Sequence, residues 1–167
     1  MKQYLLVALM AISMGLTVGS TNFAVAFSQN FPENPHEELT PGSLCDQPDE
    51  YRYRERIPYC SRDVSRSLKQ SIIAEYDRKL GYRVGQMQRN DFKIDHYIPL
   101  CAGGSNERDN LWPQHKTVYS LTDPVEQKIC EKMVEGKILQ NRAVELIRRM
   151  KLDLDEVDPV NDIISRL

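Results

Sequence analysis

The sequence predicts a small α+β domain in which a two-stranded hairpin lies among helices and disulfides hold the chain together. Residues 92–100 and 110–112 are apolar, strand-forming runs on either side of a turn at Gly103 and Gly104. Trp112, in the second run, is expected to pack in the core between the hairpin and a helix. Apolar residues also recur at helical spacing before and after these runs. The length of 167 residues fits one domain, and an even number of cysteines, four, favours disulfides.

The first 26 residues have the three parts of a secretory signal peptide. Lys2 is a short positive region, residues 5–18 form an apolar stretch, and residues 24–26 (Ala-Val-Ala) are a small-residue cleavage site. A membrane anchor is the alternative, but glycine and polar residues interrupt an apolar stretch that is already short for a bilayer. We therefore expect an exported protein, periplasmic or secreted, that begins at Phe27 and has no stable membrane association after cleavage.

The charge of the expected mature chain excludes one way of binding nucleic acid. Residues 27–167 keep 21 of the 22 basic residues and all 24 acidic residues, which leaves a net charge of −3. A protein that coats nucleic acid by bulk charge needs a strongly basic balance. An enzyme that holds a few phosphates locally is still compatible with this composition.

Basic residues are nevertheless concentrated in one stretch, where several are interleaved with tyrosines. The stretch contains Arg52, Arg54, Arg56, Arg62, Arg66 and Lys69. Alternating arginine and tyrosine can line a groove for a nucleic-acid backbone and its bases, which makes Arg52, Arg54 and Arg56 candidate contacts. The alternative, which is the commoner case, is an exposed edge strand with its aromatic residues packed beneath it.

Two segments precede the predicted hairpin. Residues 27–60, rich in proline, asparagine, glycine and glutamate, are predicted to form an extended N-terminal arm. A helix should follow, because residues 67–70 have the pattern of a capping box and apolar residues then share one face as far as Leu80. Gly81 is a typical helix stop.

Two helices and a tail are predicted after the hairpin. The first helix should begin at Asp123, since residues 123–126 (Asp-Pro-Val-Glu) form a complete start signal, and it should end at Gly136. The second should cover residues 139–150, where apolar residues recur at helical spacing. Residues 153–167 are acidic and are predicted to form a loose tail.

The four cysteines are predicted to form two disulfides, as is usual in an exported chain. They are Cys45, Cys60, Cys101 and Cys130. A structural zinc site is the alternative, but the chain lacks a C-x-x-C pair and its cysteines are widely spaced. Four cysteines allow three pairings, and spacing does not choose among them.

Candidate catalytic residues lie around the turn of the predicted hairpin. Asp95 and His96 follow the first apolar run, and Asn110 opens the second. Hydrolysis of a phosphodiester needs an activated water and a cation on the phosphate, for which His96 can act as general base and Asp95 as metal ligand. In a regular strand these two side chains point to opposite sides, so a distorted strand end is required for both to serve one site. An isolated Asp-His pair is more often a pair at the surface.

The Asp-His pair and its neighbours together resemble the motif of the HNH endonuclease family, in its exported subgroup. The residues that carry the resemblance are 91–114, DFKIDHYIPLCAGGSNERDNLWPQ. The resemblance implies a ββα-metal core hairpin within a domain of residues 61–152. It implies one divalent cation, Mg²⁺, Mn²⁺ or Zn²⁺, as cofactor. It also implies that Asp95 binds the metal, that His96 activates the water, and that Asn110 braces the hairpin loop and orients His96.

The second metal ligand is the point at which the sequence departs from the family's pattern. HNH enzymes typically present this ligand from the helix after the hairpin, and the residue at the usual spacing here is Tyr119, a poor ligand. His115 is predicted instead, with Asp123 as the alternative.

The resemblance also implies a disulfide pairing. Related nucleases carry cysteines that match Cys60 and Cys130, which leaves Cys45 to pair with Cys101.

The predicted function is metal-dependent hydrolysis of DNA, with RNA as a second candidate substrate, by a monomer that leaves 5′-phosphate and 3′-hydroxyl ends. One alternative is a non-catalytic, disulfide-stapled binding module that keeps the hairpin for its fold, and another is a secreted zinc-binding structural domain. A hairpin kept for its shape alone needs none of Asp95, His96 and Asn110, which favours the enzyme.

Overall fold

Two short antiparallel hairpins and four α-helices form the part of the chain, residues 30–167, that the computed structural model describes. The strands are β1 (Glu50–Arg52), β2 (Ile57–Tyr59), β3 (Phe92–His96) and β4 (Leu111–His115), and the helices are α1 (Arg66–Leu80), α2 (Lys116–Val134), α3 (Gln140–Leu152) and α4 (Val157–Ser165). The predicted α+β class is therefore confirmed. The predicted signal peptide lies outside the described residues, and within residues 30–167 no helix is long and apolar enough to cross a membrane.

The β3–β4 hairpin has a register that decides where the candidate site residues lie. The pairing runs from Phe92 opposite His115, at one end, to His96 opposite Leu111, at the other. Asp95 is paired with Trp112, one step in from the His96 end. His96 and His115 are thus at opposite ends of the same hairpin.

The two strands divide the chain differently from the prediction. The predicted first strand, residues 92–100, ends at His96, because Pro99 cannot donate a ladder hydrogen bond and the chain enters a 3₁₀ turn at Leu100–Ala102. The second strand continues past its predicted end at residue 112 to His115.

α1 begins slightly before its predicted start. Ser65, rather than Ser67, is the N-cap, and its hydroxyl accepts a hydrogen bond of 3.1 Å from the backbone N–H of Leu68. The predicted end at Gly81 is confirmed, since Gly81 has a left-handed φ of 77°, which glycine adopts without steric cost. Tyr76 carries part of the buried face of this helix.

α2 begins at Lys116, well before the predicted start at Asp123, which is therefore wrong. Pro124 lies inside the helix, where it cannot donate the backbone hydrogen bond of its turn. The helix continues across this defect because Val118, before the proline, and Val125, after it, are both buried in the core. Tertiary packing thus overrides a complete local start signal.

Residues 153–167 do not form the predicted loose tail, because most of them belong to a packed helix. α4 buries Val157, Val160 and Ile164 in the same cluster as side chains of α2 and α3. These three residues recur at helical spacing, but the acidic residues around them dominate the composition. The helix predicted at residues 139–150 is confirmed as α3.

Two disulfides are present, as predicted, but their pairing differs from the one that the resemblance implies. Cys45 is bonded to Cys60, and Cys101 to Cys130, with 5.8 Å between the Cα atoms of each pair. The implied pairs of Cys60 with Cys130 and of Cys45 with Cys101 are therefore wrong. Two disulfides indicate an oxidising location outside the cytoplasm.

The path of the chain explains this pairing. The described part of the predicted arm contains a turn at residues 37–39 and the β1–β2 hairpin, and the backbone N–H of Asp49 donates to the carbonyl of Tyr59 at 2.9 Å. The hairpin therefore returns Cys60 to Cys45. Cys101 lies in the 3₁₀ turn after β3, which contacts the helix that carries Cys130.

The buried core has two parts, and the end of β3 lies where they meet. One part is formed mainly by α2, α3 and α4, and the other by α1 with the β3–β4 hairpin. Trp112 is fully buried in the second part, which confirms the prediction that it packs between hairpin and helix. Tyr97 belongs to the second part and Ile98 to the first, so the chain passes between them directly after His96.

Candidate active site at the end of the β3–β4 hairpin

His96 is buried at the end of β3, and its hydrogen bonds define which ring nitrogen carries the proton. Nε2 lies 3.0 Å from Oδ1 of Asn106. The amide of Asn106 is itself oriented, because its Nδ2 donates a hydrogen bond of 2.7 Å to the carbonyl of Ser61. Oδ1 must therefore accept, so that Nε2 carries the proton and Nδ1 keeps its lone pair.

Arg62 lies beside the unprotonated nitrogen of His96. Its Nη1 is 3.5 Å from Nδ1 of His96, and its Nη2 donates a hydrogen bond of 3.0 Å to the carbonyl of Ile94. Burial lowers the pKa of His96 to about 4, and the positive charge of Arg62 acts in the same direction against the opposing hydrogen bond to Asn106. The imidazole is therefore neutral at neutral pH, with a basic nitrogen next to a guanidinium group.

Asn110 braces the loop that follows His96. The side chain is fully buried, its Oδ1 accepts a hydrogen bond from the N–H of Ile98, and its Nδ2 donates to the carbonyls of Ile98 and Ser105, each at 2.9 Å. Gly104 allows this close arrangement, because a Cβ there would lie 1.8 Å from the carbonyl oxygen of Ile98. Asn110 thus fixes the position of the loop.

A buried lysine organises the charges behind His96. Lys151, from α3, is fully buried, and its Nζ donates a hydrogen bond of 2.7 Å to the backbone carbonyl of His96. The same Nζ lies 2.6 Å from Oε2 of Glu126, on α2, and 3.4 Å from Oδ2 of Asp95. Three elements, β3, α2 and α3, therefore meet at one ammonium group.

These charges shift one another's pKa values. Burial by itself would raise the pKa of Asp95, but Lys151 and then Lys93 outweigh it and hold that pKa below its usual value. Burial would lower the pKa of Lys151, yet Glu126 and Asp95 hold it above its usual value. Burial raises the pKa of Glu126 against the opposing charge of Lys151. Lys151 therefore stays protonated at neutral pH, and its positive charge faces the side chains of Asp95 and Glu126.

Sequence reasoning missed Glu126 and Lys151 as members of the site. Glu126 was assigned to a helix start, although it lies one turn before Cys130, whose disulfide ties that face of α2 to the hairpin loop. Lys151 follows Ile147 by one helical turn, on the buried face of α3. A lysine on an apolar helix face is the one local signal that indicates a buried charge.

His115, the predicted second metal ligand, is not brought together with Asp95. The hairpin register places it roughly 10 Å along the strands from Asp95, at about 3.4 Å per residue. Its ring stacks on Phe31, with 3.8 Å between ring centroids, and its Nδ1 accepts a hydrogen bond of 3.3 Å from the backbone N–H of Thr117, at the start of α2. His115 is a helix cap and a packing residue here.

Asp123, the alternative ligand, is connected to Asp95 only through a lysine. Nζ of Lys93 lies 2.7 Å from Oδ2 of Asp123 and 3.6 Å from Oδ1 of Asp95. A shallow depression opens at the surface beside His96. The side chain of Asp123 is 42% exposed and does not line this depression. It therefore belongs to the surface beside the site.

The candidate nucleic-acid contacts of the arginine–tyrosine run lie on the β1–β2 hairpin. Arg52 forms an ion pair with Glu50 at 2.6 Å and lies over the ring of Tyr59. Arg54 approaches Gly136, after α2, and Arg56 and Tyr53 have positive φ values in the hairpin turn. The depression at His96 is not lined by Arg52, Arg54 or Arg56.

A depression of about 230 Å³ opens above the cluster, and it is lined by Arg62, Asp95, His96, Pro99, Leu100, Cys101, Glu126 and Cys130. Mg²⁺ is commonly bound through one or two carboxylates, with water and substrate phosphate completing its coordination. Asp95 and Glu126 are two carboxylates in the lining of the depression. Within residues 30–167 no group of three or more His, Cys, Asp or Glu side chains could hold a metal. Two carboxylates are donors of the kind that a hard cation shared with substrate uses, but Nζ of Lys151 already lies 3.4 Å from Asp95 and 2.6 Å from Glu126.

No protein-family model, curated protein or solved structure matches this chain. The function is therefore inferred from the neutral His96, the guanidinium beside it and the carboxylates in the same depression.

Proposed function

We propose that the protein is an exported endonuclease of the HNH type, which hydrolyses phosphodiester bonds of DNA and, as a second substrate, RNA. The observation that carries the proposal is the neutral imidazole of His96, whose unprotonated Nδ1 lies beside Arg62 at a depression that also contains Asp95 and Glu126. A base, a cationic group for phosphate and two carboxylates are the components that this hydrolysis requires.

His96 is proposed as the general base. Asn106 holds its Nε2 proton, so the acceptor that remains is Nδ1. The 3.5 Å contact of Nδ1 with Arg62 is a long, weak hydrogen bond, so Arg62 can turn towards the phosphate and leave Nδ1 to a water molecule. That water loses its proton to Nδ1 as it attacks the phosphorus, while Arg62 donates hydrogen bonds to a non-bridging phosphate oxygen. The bond between phosphorus and the 3′ oxygen breaks, and that oxygen takes a proton from solvent water, so the expected products carry 5′-phosphate and 3′-hydroxyl ends.

Asp95 and Glu126 are proposed to hold the divalent cation, in place of the predicted pair of Asp95 with His115 or Asp123. When bound, Mg²⁺ or Mn²⁺ would supply positive charge to the phosphate and the leaving oxygen. Zn²⁺, the third candidate, favours nitrogen and sulfur ligands, which this pair of carboxylates does not offer. Lys151 keeps the two carboxylates close together through its ammonium group.

The β3–β4 hairpin and α2 are proposed to be the ββα-metal core. The short hairpin, its braced loop and the helix that carries Glu126 support this proposal. Export in monomeric form, to the periplasm or the medium, is proposed from the signal-peptide pattern and the two disulfides.

A non-catalytic binding module is the second candidate, and one observation favours it. Nζ of Lys151 already lies between Asp95 and Glu126, where a divalent cation would have to bind. In a protein without a metal, the ammonium group of this lysine would neutralise the two carboxylates and so maintain the fold. Nucleic acid would then be bound without cleavage.

Incubation of the oxidised protein with supercoiled plasmid and with single-stranded DNA separates the two candidates. Each substrate is tested with Mg²⁺, Mn²⁺ or Zn²⁺ and with excess chelator, and the His96→Ala variant, purified identically, is the control for a contaminating nuclease. The enzyme should nick or cleave with Mg²⁺ or Mn²⁺, should stop in chelator, and should depend on His96. Binding without cleavage under every condition would establish the module instead.

A further inference from the structure

A groove lies beside β3, next to the candidate active site. It has a volume of about 750 Å³ and lies between α1, the segment before β3, and β3 itself. Its apolar lining includes Ile73, Met87, Phe92 and Ile94. Met87 is half-buried and Phe92 is mostly covered, so the apolar lining is at the bottom of the groove.

Cationic side chains line the same groove. Arg66 and Lys69 belong to the first turns of α1, and Arg89 precedes β3. Within residues 30–167, none of the three has a carboxylate within ion-pair distance. Asp77, the acidic residue of the lining, accepts hydrogen bonds of 2.8 and 2.9 Å from the backbone N–H groups of Val84 and Gly85. The groove therefore offers three cationic side chains to an anionic partner.

The groove is adjacent to the depression at His96, where the proposed substrate phosphate would bind. Phe92, Ile94 and His96 alternate along β3, so their side chains lie on one face of the strand, about 7 Å apart. Arg62 connects the two regions, since it contacts both the carbonyl of Ile94 and Nδ1 of His96. A chain whose phosphate binds at Arg62 can continue directly into the groove.

We propose that this groove binds the nucleotides next to the scissile phosphate of a single-stranded nucleic acid, an inference that rests on the proposed endonuclease function. Arg66, Lys69 and Arg89 would contact phosphates, and the apolar lining around Met87 would contact the faces of unpaired bases. A duplex keeps its base faces stacked inside the helix, so it could use only the cationic side chains. An apolar lining combined with cationic side chains therefore favours single strands.

The binding test uses the His96→Ala background, so that the probe is not cleaved, and measures fluorescence anisotropy of a labelled single-stranded oligonucleotide. The groove variant is Arg66→Glu/Lys69→Glu/Arg89→Glu. The control, Arg78→Glu/Lys128→Glu/Arg166→Glu, changes the net charge equally at exposed positions outside the groove. Affinity should fall roughly tenfold or more in the groove variant only, and the slope of log affinity against log salt should decrease by about 2.

The variant Met87→Glu tests the apolar lining separately. It leaves the three cationic residues in place, and it should weaken single-strand binding roughly tenfold while duplex binding changes little. An equal loss for both forms of nucleic acid would overturn the single-strand assignment. Unchanged affinity in both the triple variant and Met87→Glu would overturn the groove as a binding site.

A small phosphodiester, bis(p-nitrophenyl) phosphate, separates failure of the groove from failure of the proposed function. Its hydrolysis needs the His96 site only, so the groove variant on the wild-type background should keep its kcat/KM while KM for single-stranded DNA rises. Loss of small-substrate hydrolysis in the groove variant would show damage to the site and would overturn the proposal. The wild type could hydrolyse neither substrate while the groove substitutions still weaken the binding of single-stranded DNA. That result would overturn the endonuclease function and would support the groove as a binding site.

Discussion

The two ends of the β3–β4 hairpin each hold a buried histidine, and the two histidines have different neighbours. His96 lies between Asn106 and the guanidinium of Arg62, in a depression with two carboxylates. His115, at the other end, stacks on Phe31 and caps α2. Burial lowers the pKa of both rings. At the His96 end, charged side chains surround a surface depression. At the His115 end, the ring packs on a neighbour and caps a helix.

The comparison shows that the residue type alone does not identify an active-site residue, even among the residues of one hairpin. Imidazole can serve as base, metal ligand, helix cap or packing surface. At His96 the ring nitrogens face an oriented amide and a cation, and a lysine from a distant helix holds the backbone. At His115 the Nδ1 lone pair is already used by the backbone of Thr117. The oriented amide and the guanidinium group beside His96 are the features that separate the two.

The replacement His96→Ala should have the largest effect on activity. Removal of a general base typically lowers the rate by ~10²–10⁴-fold, and the brace by Asn110 should keep the loop folded. Initial rates on plasmid and circular dichroism spectra of both proteins provide the measurement. His115→Ala is the matched control at the other end and should keep activity within about twofold, since it is remote from Asp95. Similar losses in both variants would remove the functional distinction between the two ends.

The replacement Lys151→Met should have the largest effect on stability. It removes the ammonium group that Asp95 and Glu126 share and leaves both carboxylates largely buried, which typically costs about 3–5 kcal/mol. Urea unfolding measures the change, and Lys128→Met, at an exposed position of α2, should stay within about 0.5 kcal/mol of the wild type. If Lys151→Met were as stable as the wild type, the carboxylates would be accessible to water and the cluster would not be a buried one.

Stability should depend on pH through His96, whose pKa is about 4 in the folded protein against an ordinary value of 6.5. Between these pH values the unfolded chain binds a proton that the folded chain does not. The contribution of His96 to the free energy of unfolding is therefore complete above pH 6.5 and is lost as the pH falls to about 4. Its size is about 3 kcal/mol, at about 1.4 kcal/mol for each pH unit between the two pKa values.

Urea unfolding of the wild type and of His96→Gln, in chelator between pH 7 and pH 4, measures this contribution as the difference between the two curves. The difference should shrink steadily as the pH falls through the window. Parallel curves for the two proteins would mean that His96 is solvated and titrates normally.

The smallest effect is expected for the residues that were predicted as the second metal ligand. His115→Ala should cost about 1–2 kcal/mol of stability, because it removes a helix cap and a stacked ring. Asp123→Asn should cost less than about 1 kcal/mol, since its ion pair with Lys93 is partly exposed. Neither should alter Mg²⁺ affinity, measured by titration calorimetry, whereas Glu126→Gln should weaken it. A loss of Mg²⁺ affinity in either variant would return that residue to the ligand set.

Local sequence patterns determined several features correctly. The start of β3 at Phe92, the end of α1 at Gly81, the burial of Trp112 and the presence of two disulfides follow from residue preferences and composition. Each of these depends on a few neighbouring residues or on a count, and the surrounding fold does not change the preference. His96 as general base was also reached from the sequence, and it stays a prediction.

Only the tertiary structure decided which distant residues meet. The disulfide partners, the start of α2 across Pro124 and the packing of α4 all depend on burial between elements that are far apart in the chain. The ion cluster joins Asp95, Glu126 and Lys151 from three elements, and its energy comes from mutual neutralisation in a buried place. No short segment of sequence contains that information, because a carboxylate on a helix has the same local pattern whether it faces water or a lysine.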